Sequence, residues 1–313
     1  MTESDRHAAP YARLTRLAAL ASVSAALLLL ALKGFAAWRT GSVAMLGSLA
    51  DTGFDLAASL ITLWAVQLAA LPADHDHRFG HGKAEALAAL AQVGLIAVSA
   101  AGIGWRAVDR LVAGAAPANP EWGIGVSLAA IAVTAVLLTV QRRVIRRTGS
   151  VAIAADNLHY QSDLMLNLGV IAALALEAWA GLGGADALGG IAIALWLLRG
   201  AWQAARAAVD QLMDREWPEP KRRAFIAIAN DHPAFRGIHD LRTRTSGIHD
   251  FAQFHVWVDP AMTIAEAHDV VEEMEARLAR AFPDTEVLIH LDPEGKIDRA
   301  GRADEHLREM PER

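Results

Sequence analysis

The chain has 313 residues, 54% of them hydrophobic, and a mean hydropathy of +0.26, which is high for a soluble domain and points to a membrane protein. Its net charge of −6 comes mostly from the part after Asp214, so it says nothing in favour of a nucleic-acid partner. With no cysteine there are no disulfides and no thiolate metal sites, and any metal must be held by His, Asp or Glu.

Arg13 and Arg16 precede an apolar run from Leu17 to Leu32. That run is long for the core of a signal peptide, no small-x-small cleavage site follows, and further apolar runs come after it. It is expected to be a retained first membrane helix. Six segments approach the ~20 residues needed to span a bilayer, at roughly 14–38, 43–71, 83–111, 122–145, 151–180 and 186–211. The link 142–147 carries Arg142, Arg143, Arg146 and Arg147, and the link 72–82 carries Arg78 with Lys83 just beyond. The other links are nearly free of Lys and Arg, apart from Arg39. The positive-inside rule then puts both termini and both basic links in the cytoplasm.

The second segment contains Asp51 and Asp55, and the fifth contains His159 and Asp163. Residues four apart stand on one helix face, about 6 Å apart along the axis. Carboxylates inside hydrocarbon are costly and call for a partner. The run Arg39 to Ala44 also recurs unchanged as Arg147 to Ala152, and that offset carries Asp51 onto His159 and Asp55 onto Asp163. Three spans separate the copies, so they run in opposite directions, and the two pairs are expected to meet near the midplane. Inverted repeats around a midplane site are a mark of secondary transporters. Four nitrogen and oxygen ligands from two helices suit a tetrahedral Zn²⁺. Of the remaining intramembrane charges, Lys33 is expected to snorkel outward, and Arg199 to snorkel or pair within the bundle.

The link 72–82 offers Asp74, His77 and His81 as ligands, with His75 and Asp76 as possible substitutes. Trp217 to Pro220 marks the exit into a second domain. A helix is expected over about 219–231 and a strand over 239–245. A second strand, from Phe251 to Val258, puts Ala252, Phe254, Val256 and Val258 on one face and Gln253, His255 and Trp257 on the other. Thr263 and Glu266 form a capping-box pattern for a helix reaching about Phe282. A last strand alternates Val287, Ile289 and Leu291 with Leu288, His290 and Asp292. The expected fold is thus six transmembrane helices (1–213) followed by an α+β domain of order αββαβ (214–293), with a disordered tail over 294–313. In that domain His290 and Asp292 share a strand face, His255 lies on a non-core face, and His239 and His268 lie near element ends.

The runs SLADTGFD over 48–55, FGHGKAE over 79–85, HYQSD over 159–163, HDLRTR over 239–244 and IHLDP over 289–293 resemble those of the cation diffusion facilitators, most closely bacterial zinc- and iron-efflux members. The resemblance covers about residues 12–293. It implies a transport site at Asp51, Asp55, His159 and Asp163, and a loop site at Asp74, His77 and His81. It also implies a binuclear site at His239, His255, His268, His290 and Asp292 in a metallochaperone-like cytoplasmic domain. A homodimer in the inner membrane, metal/proton antiport and an interlock between Lys83 and Asp214 follow from the same resemblance. The expected activity is export of a divalent transition metal: Zn²⁺ first, with Cd²⁺, Fe²⁺ or Co²⁺ as alternatives. The partners are the ion, protons, membrane lipid and a second copy of the chain. Two other classes share some of these features. An intramembrane metal hydrolase would need a general base and an activated water, and no His-Glu-x-x-His run is present. A membrane-bound metal sensor would bind ions without moving them.

Overall fold

The computed structural model describes residues 3–40, 43–113, 123–180 and 185–295. The described residues form two compact units: 11–210, and 211–295 together with 3–10 at the start of the first helix. The membrane unit is built from helices α1 (Glu3–Thr40), α2 (Val43–Ala69), α3 (Ala84–Ala113), α4 (Gly123–Thr148), α5 (Val151–Ala180) and α6 (Ala185–Leu212). Five of these contain stretches long and apolar enough to cross a membrane: Pro10–Arg39, Ser48–Ala69, Ala84–Asp109, Ser127–Thr148 and Ala187–Leu212. The sixth, α5, has 30 residues, which is ample length. Its first half is more polar because it carries Asp156, Asn157, His159 and Ser162, and all four are buried against neighbouring helices. The six expected spans are therefore six helices, the polar one held inside the bundle. The expected tail over 294–313 lies outside the described residues beyond position 295.

Small residues bring the helices together. Ala18 and Ala19 of α1, Ala65 and Val66 of α2, Ala88 of α3, Val144 of α4, and Ala152 and Ile153 of α5 form one buried cluster. In a bilayer the lipid tails are as apolar as leucine, so close backbone approach and van der Waals contact drive association. The crossing of α3 with α6 shows this directly. A Cβ added at Gly190 would stand 3.0 Å from the Cβ of Ala107.

The repeat is visible in the helix starts. α2 begins at Val43 and α5 at Val151, the matching positions of the two copies. The second copy turns at Gly149, whose φ of +66° is a conformation that costs glycine little. Ser150 then accepts the backbone N–H of Ile153 at 3.3 Å, and its hydroxyl donates to the buried carboxylate of Glu85 on α3. The hydroxyl of Tyr11 on α1 donates to the other Glu85 oxygen at 3.0 Å. A carboxylate at the start of α5 complements the positive end of that helix.

The second unit has the order α7 (Glu219–Asn230), β1 (Ile238–Ser246), β2 (His249–Val258), α8 (Ile264–Ala281) and β3 (Thr285–Pro293). Strand order is β1-β2-β3, with β1 antiparallel and β3 parallel to β2. The parallel pair needs a crossover, and α8 supplies it. The capping box that starts α8 is present, with Thr263 and Glu266 each accepting the other's backbone N–H. The expected alternation holds: Ala252, Phe254, Val256 and Val258 are all buried, with Trp217, Phe225, Met274 and Leu278, in one core. The opposite sheet face is left for polar side chains.

Candidate metal centres

In the membrane unit, the matched helices α2 and α5 pack together. Asp55 of α2 and His159 of α5 meet, with Oδ1 and Nε2 3.0 Å apart. Asp163, one turn further along α5, joins them, and one ligand atom from each of the three lies within 4.8 Å of the others. Donors ~2 Å from a tetrahedral Zn²⁺ are about 3.3 Å apart, so a small inward movement would let all three bind one ion. The arrangement leaves a fourth position. Asp51 is exposed on α2, one turn before Asp55, and is not within that group.

Lys33 does not snorkel. Its Nζ donates to the Thr52 hydroxyl at 2.7 Å, tying α1 to α2 between the two aspartates. Arg199, by contrast, is exposed on α6, as expected for an arginine that reaches outward from the bundle.

The loop after α2 folds around Asp74. Its Oδ1 accepts the backbone N–H groups of Asp76 at 3.0 Å and His77 at 2.7 Å, the hydrogen bonds of an Asx turn. The His77 amide holds the Asp74 carboxyl below the usual carboxylate range. That turn brings His77 Nδ1 to 3.3 Å from Oδ1 and His81 Nε2 to 3.3 Å from Oδ2. The three side chains form a second group with metal-binding spacing. His75 and Asp76 are exposed and stand outside it.

Sheet register builds the third group. His239 pairs with His255 across β1 and β2, and His255 with His290 across β2 and β3. Three histidines therefore stand in one row on the face away from the core. Asp292, two residues beyond His290, shares that face. Its Oδ2 lies 3.1 Å from His239 Nε2 and 2.9 Å from His255 Nδ1, and its Oδ1 lies 3.4 Å from His290 Nε2. Asp292 is itself buried, so it is a fixed centre for the row. A bulge after His239, with Asp240 at a φ of +47°, brings the Asp240 carboxylate to 4.0 Å from His255 Nε2. His268 is apart: it is exposed on α8 and paired with Glu272 at 3.4 Å.

All three groups share one chemical feature. In each, one histidine turns Nε2 toward an aspartate, and its Nδ1 is buried without a hydrogen-bond partner, at His81, His159 and His239. A ligating histidine commonly has its second nitrogen fixed by a neighbour. Here no protein group among the described residues holds that nitrogen, so each imidazole can turn toward an ion at the cost of its aspartate contact alone.

Residues 19–213 match the family model of the cation efflux transmembrane domain, and residues 217–294 match that of the cation efflux protein cytoplasmic domain. The chain belongs to the cation efflux family, the cation diffusion facilitators. Relatives of this family agree over nearly the whole length. The cation-efflux pump FieF of Cronobacter sakazakii is 43% identical over 289 residues, covering 92% of this chain and 96% of its own. FieF of Yersinia pestis (strain Pestoides F) is 44% identical over 283 residues, covering 90% and 94%. Among solved structures, CzrB in its zinc form is 33% identical over 28% of this chain and 99% of that one, with a TM-score of 0.26. The metal-bound C-terminal domain of the CzcD transporter from Thermotoga maritima is 22% identical over 26% and 100%, with a TM-score of 0.25.

For this cation efflux protein, the ligand types named from sequence fall largely into three clusters, with Asp51 and His268 outside them and His290 joined to the sheet cluster only through Asp292 Oδ1. Lys83 belongs to the membrane unit and Asp214, at a φ of +54°, to the second unit. Sequence reasoning passed over Asp156 and Glu85. Both are buried carboxylates in otherwise apolar helices, and an acid in such a segment is itself the signal that could have singled them out.

Proposed function

We propose that this protein exports a divalent transition-metal ion from the cytoplasm, Zn²⁺ before Cd²⁺, Fe²⁺ or Co²⁺, in exchange for protons. The observation that carries this reading is the cluster of Asp55, His159 and Asp163 between α2 and α5. Two carboxylates and an imidazole suit a borderline-soft dication better than a hard one. These groups bind metal only when deprotonated, so metal and protons compete for them. Opened to the cytoplasm, the site takes an ion and gives up protons. Opened to the far side, incoming protons displace the ion. Asp51, one turn from Asp55, is the fourth ligand in this scheme and would come in when the ion draws the helices together. The two unlike copies of the repeat supply the halves that rock against each other.

The loop group at Asp74, His77 and His81 and the sheet group at His239, His255, His290 and Asp292 would hold further ions of the same kind, with His268 as an added ligand of the latter. In the latter group the imidazoles and carboxylate would be the donors of a structural or regulatory Zn²⁺. The protein is read as a homodimer in the inner membrane, with both termini cytoplasmic, domains at 1–213 and 214–293, and Lys83 and Asp214 as an interlock. The test is flux of Zn²⁺, Cd²⁺, Fe²⁺ and Co²⁺ in competition into sealed proteoliposomes with an imposed pH gradient. Ion uptake that ignores the gradient would remove proton exchange. Binding without any uptake would leave a sensor.

A further inference from the structure

Asp156 lies on α5 one turn before His159 and has no exposed surface. Its neighbours come from three other helices. Ser22 of α1 donates to Oδ2 at 2.6 Å, and Gln141 of α4 donates to the same oxygen at 2.7 Å. Gln92 of α3 lies 3.3 Å from Oδ1 through its Nε2. None of these is a cation, and none is a candidate metal ligand. A buried carboxylate with only neutral donors around it is costly to keep ionised.

The two oxygens are served unequally. Oδ2 has two short hydrogen bonds. Oδ1 has only the amide of Gln92, which has two hydrogens to give. Two nearer acceptors compete for them: the Thr62 hydroxyl at 3.0 Å and the Ala58 carbonyl at 3.1 Å. The other end of the same side chain, Gln92 Oε1, is buried with no donor. Asp156 Oδ1 thus shares its one weak donor with two nearer acceptors, and no cation is hydrogen-bonded to either of its oxygens. A proton on Oδ1 removes the charge that these neutral donors leave poorly compensated.

The ionisable groups that act on Asp156 are Asp55 on α2, and His159 and Tyr160 on its own helix. The Tyr160 hydroxyl is held by the Ser59 hydroxyl at 2.8 Å and the Ser22 carbonyl at 3.2 Å. From α1, α3 and α4, the groups facing Asp156 are Ser22, Gln141 and Gln92, which do not ionise. Its electrostatic partners are therefore mainly two ligands of the proposed transport site. Charge arriving there acts on Asp156 through a medium of low dielectric, where Coulomb terms are strong.

We propose that Asp156 is a proton-binding site of the transport cycle, separate from the metal ligands, which gives up its proton when a dication enters the Asp55–His159–Asp163 cluster and regains it when the ion leaves. The reaction is a simple ionisation, carboxylic acid to carboxylate plus a proton. The proposal rests on the proton-exchange reading above. Coupling of this kind is reciprocal: the proton weakens the ion's hold as much as the ion weakens the proton's.

The experiment uses the full chain in proteoliposomes, with Zn²⁺ uptake and proton movement recorded together, for wild type and Asp156→Asn. The amide has the shape of the protonated acid and can place its NH₂ toward Gln92. The variant, held in the neutral form, is expected to bind Zn²⁺ about tenfold more weakly at the working pH and to move about one proton fewer for each ion. An unchanged proton-to-zinc ratio overturns the proposal. So does a tenfold or greater loss of Zn²⁺ affinity with the ratio intact, because that is the signature of a purely positional role. Wild-type uptake that ignores the pH gradient overturns the proton-exchange reading itself, which is a different result. Ser22→Ala serves if Asp156→Asn does not fold. It keeps the carboxylate and removes a donor that favours the anion, so the pH midpoint of uptake should rise. An unmoved midpoint overturns the proposal.

Discussion

His159 and Asp55, 104 positions apart in the chain, meet at 3.0 Å between α5 and α2. The contact crosses the register of the repeat: His159 corresponds to Asp51, and Asp55 to Asp163, yet the near pair is one member of each. The site is therefore a meeting of diagonals, and its chemistry depends on each of the two.

Replacing Asp55 by Ala is expected to stop ion uptake while leaving the fold in place. The side chain is only partly buried, so its loss opens no large cavity. It removes one of three clustered donors, and the expected loss of affinity exceeds the ~10–100-fold typical of an outer-shell change. Uptake at saturating Zn²⁺, recorded beside a thermal melt, checks both halves. Wild-type uptake in the variant would take Asp55 out of the site.

Exchanging His159 for Asp makes the ligand set all-oxygen. Hard oxygen ligands favour Mn²⁺ and its like over Zn²⁺. The exchange also removes the group whose ordinary titration range, near pH 6.5, overlaps the physiological one. Discrimination against Mn²⁺ should fall, and the pH profile of Zn²⁺ uptake should change between about pH 6 and 8. Initial rates for both ions across that range are the measurement. An unchanged ratio with an unchanged profile means that His159 neither selects the ion nor carries its proton.

Asp292 touches three histidines at once, so Asp292→Ala should disperse the row on the sheet. A Zn²⁺ ion held there would raise the stability of the folded wild-type domain by ~2.7 kcal/mol at a concentration of 100 times Kd. The variant should show little of this rise in Tm, while the Asp55–His159 contact in the other unit is untouched. A full Zn²⁺-dependent rise in the variant would show that Asp292 is not part of a metal centre.

In the loop, the His77 amide stabilises the ionised Asp74 carboxylate, and the folded loop holds its proton less tightly than the unfolded chain does. A depressed value stabilises the folded loop above the ordinary carboxylate range and loses that contribution as pH falls through the folded value. The amides of Asp76 and His77 should therefore exchange faster with solvent below about pH 4 than at pH 7, after correction for intrinsic rates. Asp74→Asn keeps an oxygen for the turn and should flatten that dependence. An Asp74→Asn protein with the wild-type pH dependence would show that the carboxylate is not its source.

Thr263→Ala offers a control at a residue outside all three groups. It removes the cap of α8 and should cost about 1 kcal/mol, seen as a lower Tm, with Zn²⁺ uptake unchanged. The partner carboxylate of Glu266 is held below its usual range, first by the Thr263 backbone N–H, so the box contributes above the ordinary glutamate value and fades as pH falls through the folded one. The difference in Tm between variant and wild type should shrink in acid. A difference that stays constant to pH 3 would show that the Thr263 hydroxyl does not stabilise the Glu266 carboxylate.

The sequence determined what local chemistry and period can determine. Long apolar runs become helices because backbone groups in hydrocarbon must be paired within the segment, and strict alternation becomes a strand with one buried face. The capping box, the Asx turn at Asp74 and the matched starts of α2 and α5 are likewise short-range, and their residues stand side by side in the chain. Which side chains meet was decided by tertiary structure. Helical period places Asp51 and Asp55 on one face, but only the packing of α2 against α5 brings Asp55 to His159 and leaves Asp51 exposed. Hydrophobicity alone sends Lys33 outward, whereas the approach of α1 to α2 gives its ammonium a buried hydroxyl at Thr52. Alternation puts His255 and His290 off the core, but strand register aligns them with His239 around Asp292, and His268, on a helix, has no such register to bring it there. Period is set by the backbone of one segment. Contact is set by where separate segments bury their surfaces, and that depends on every helix and strand at once.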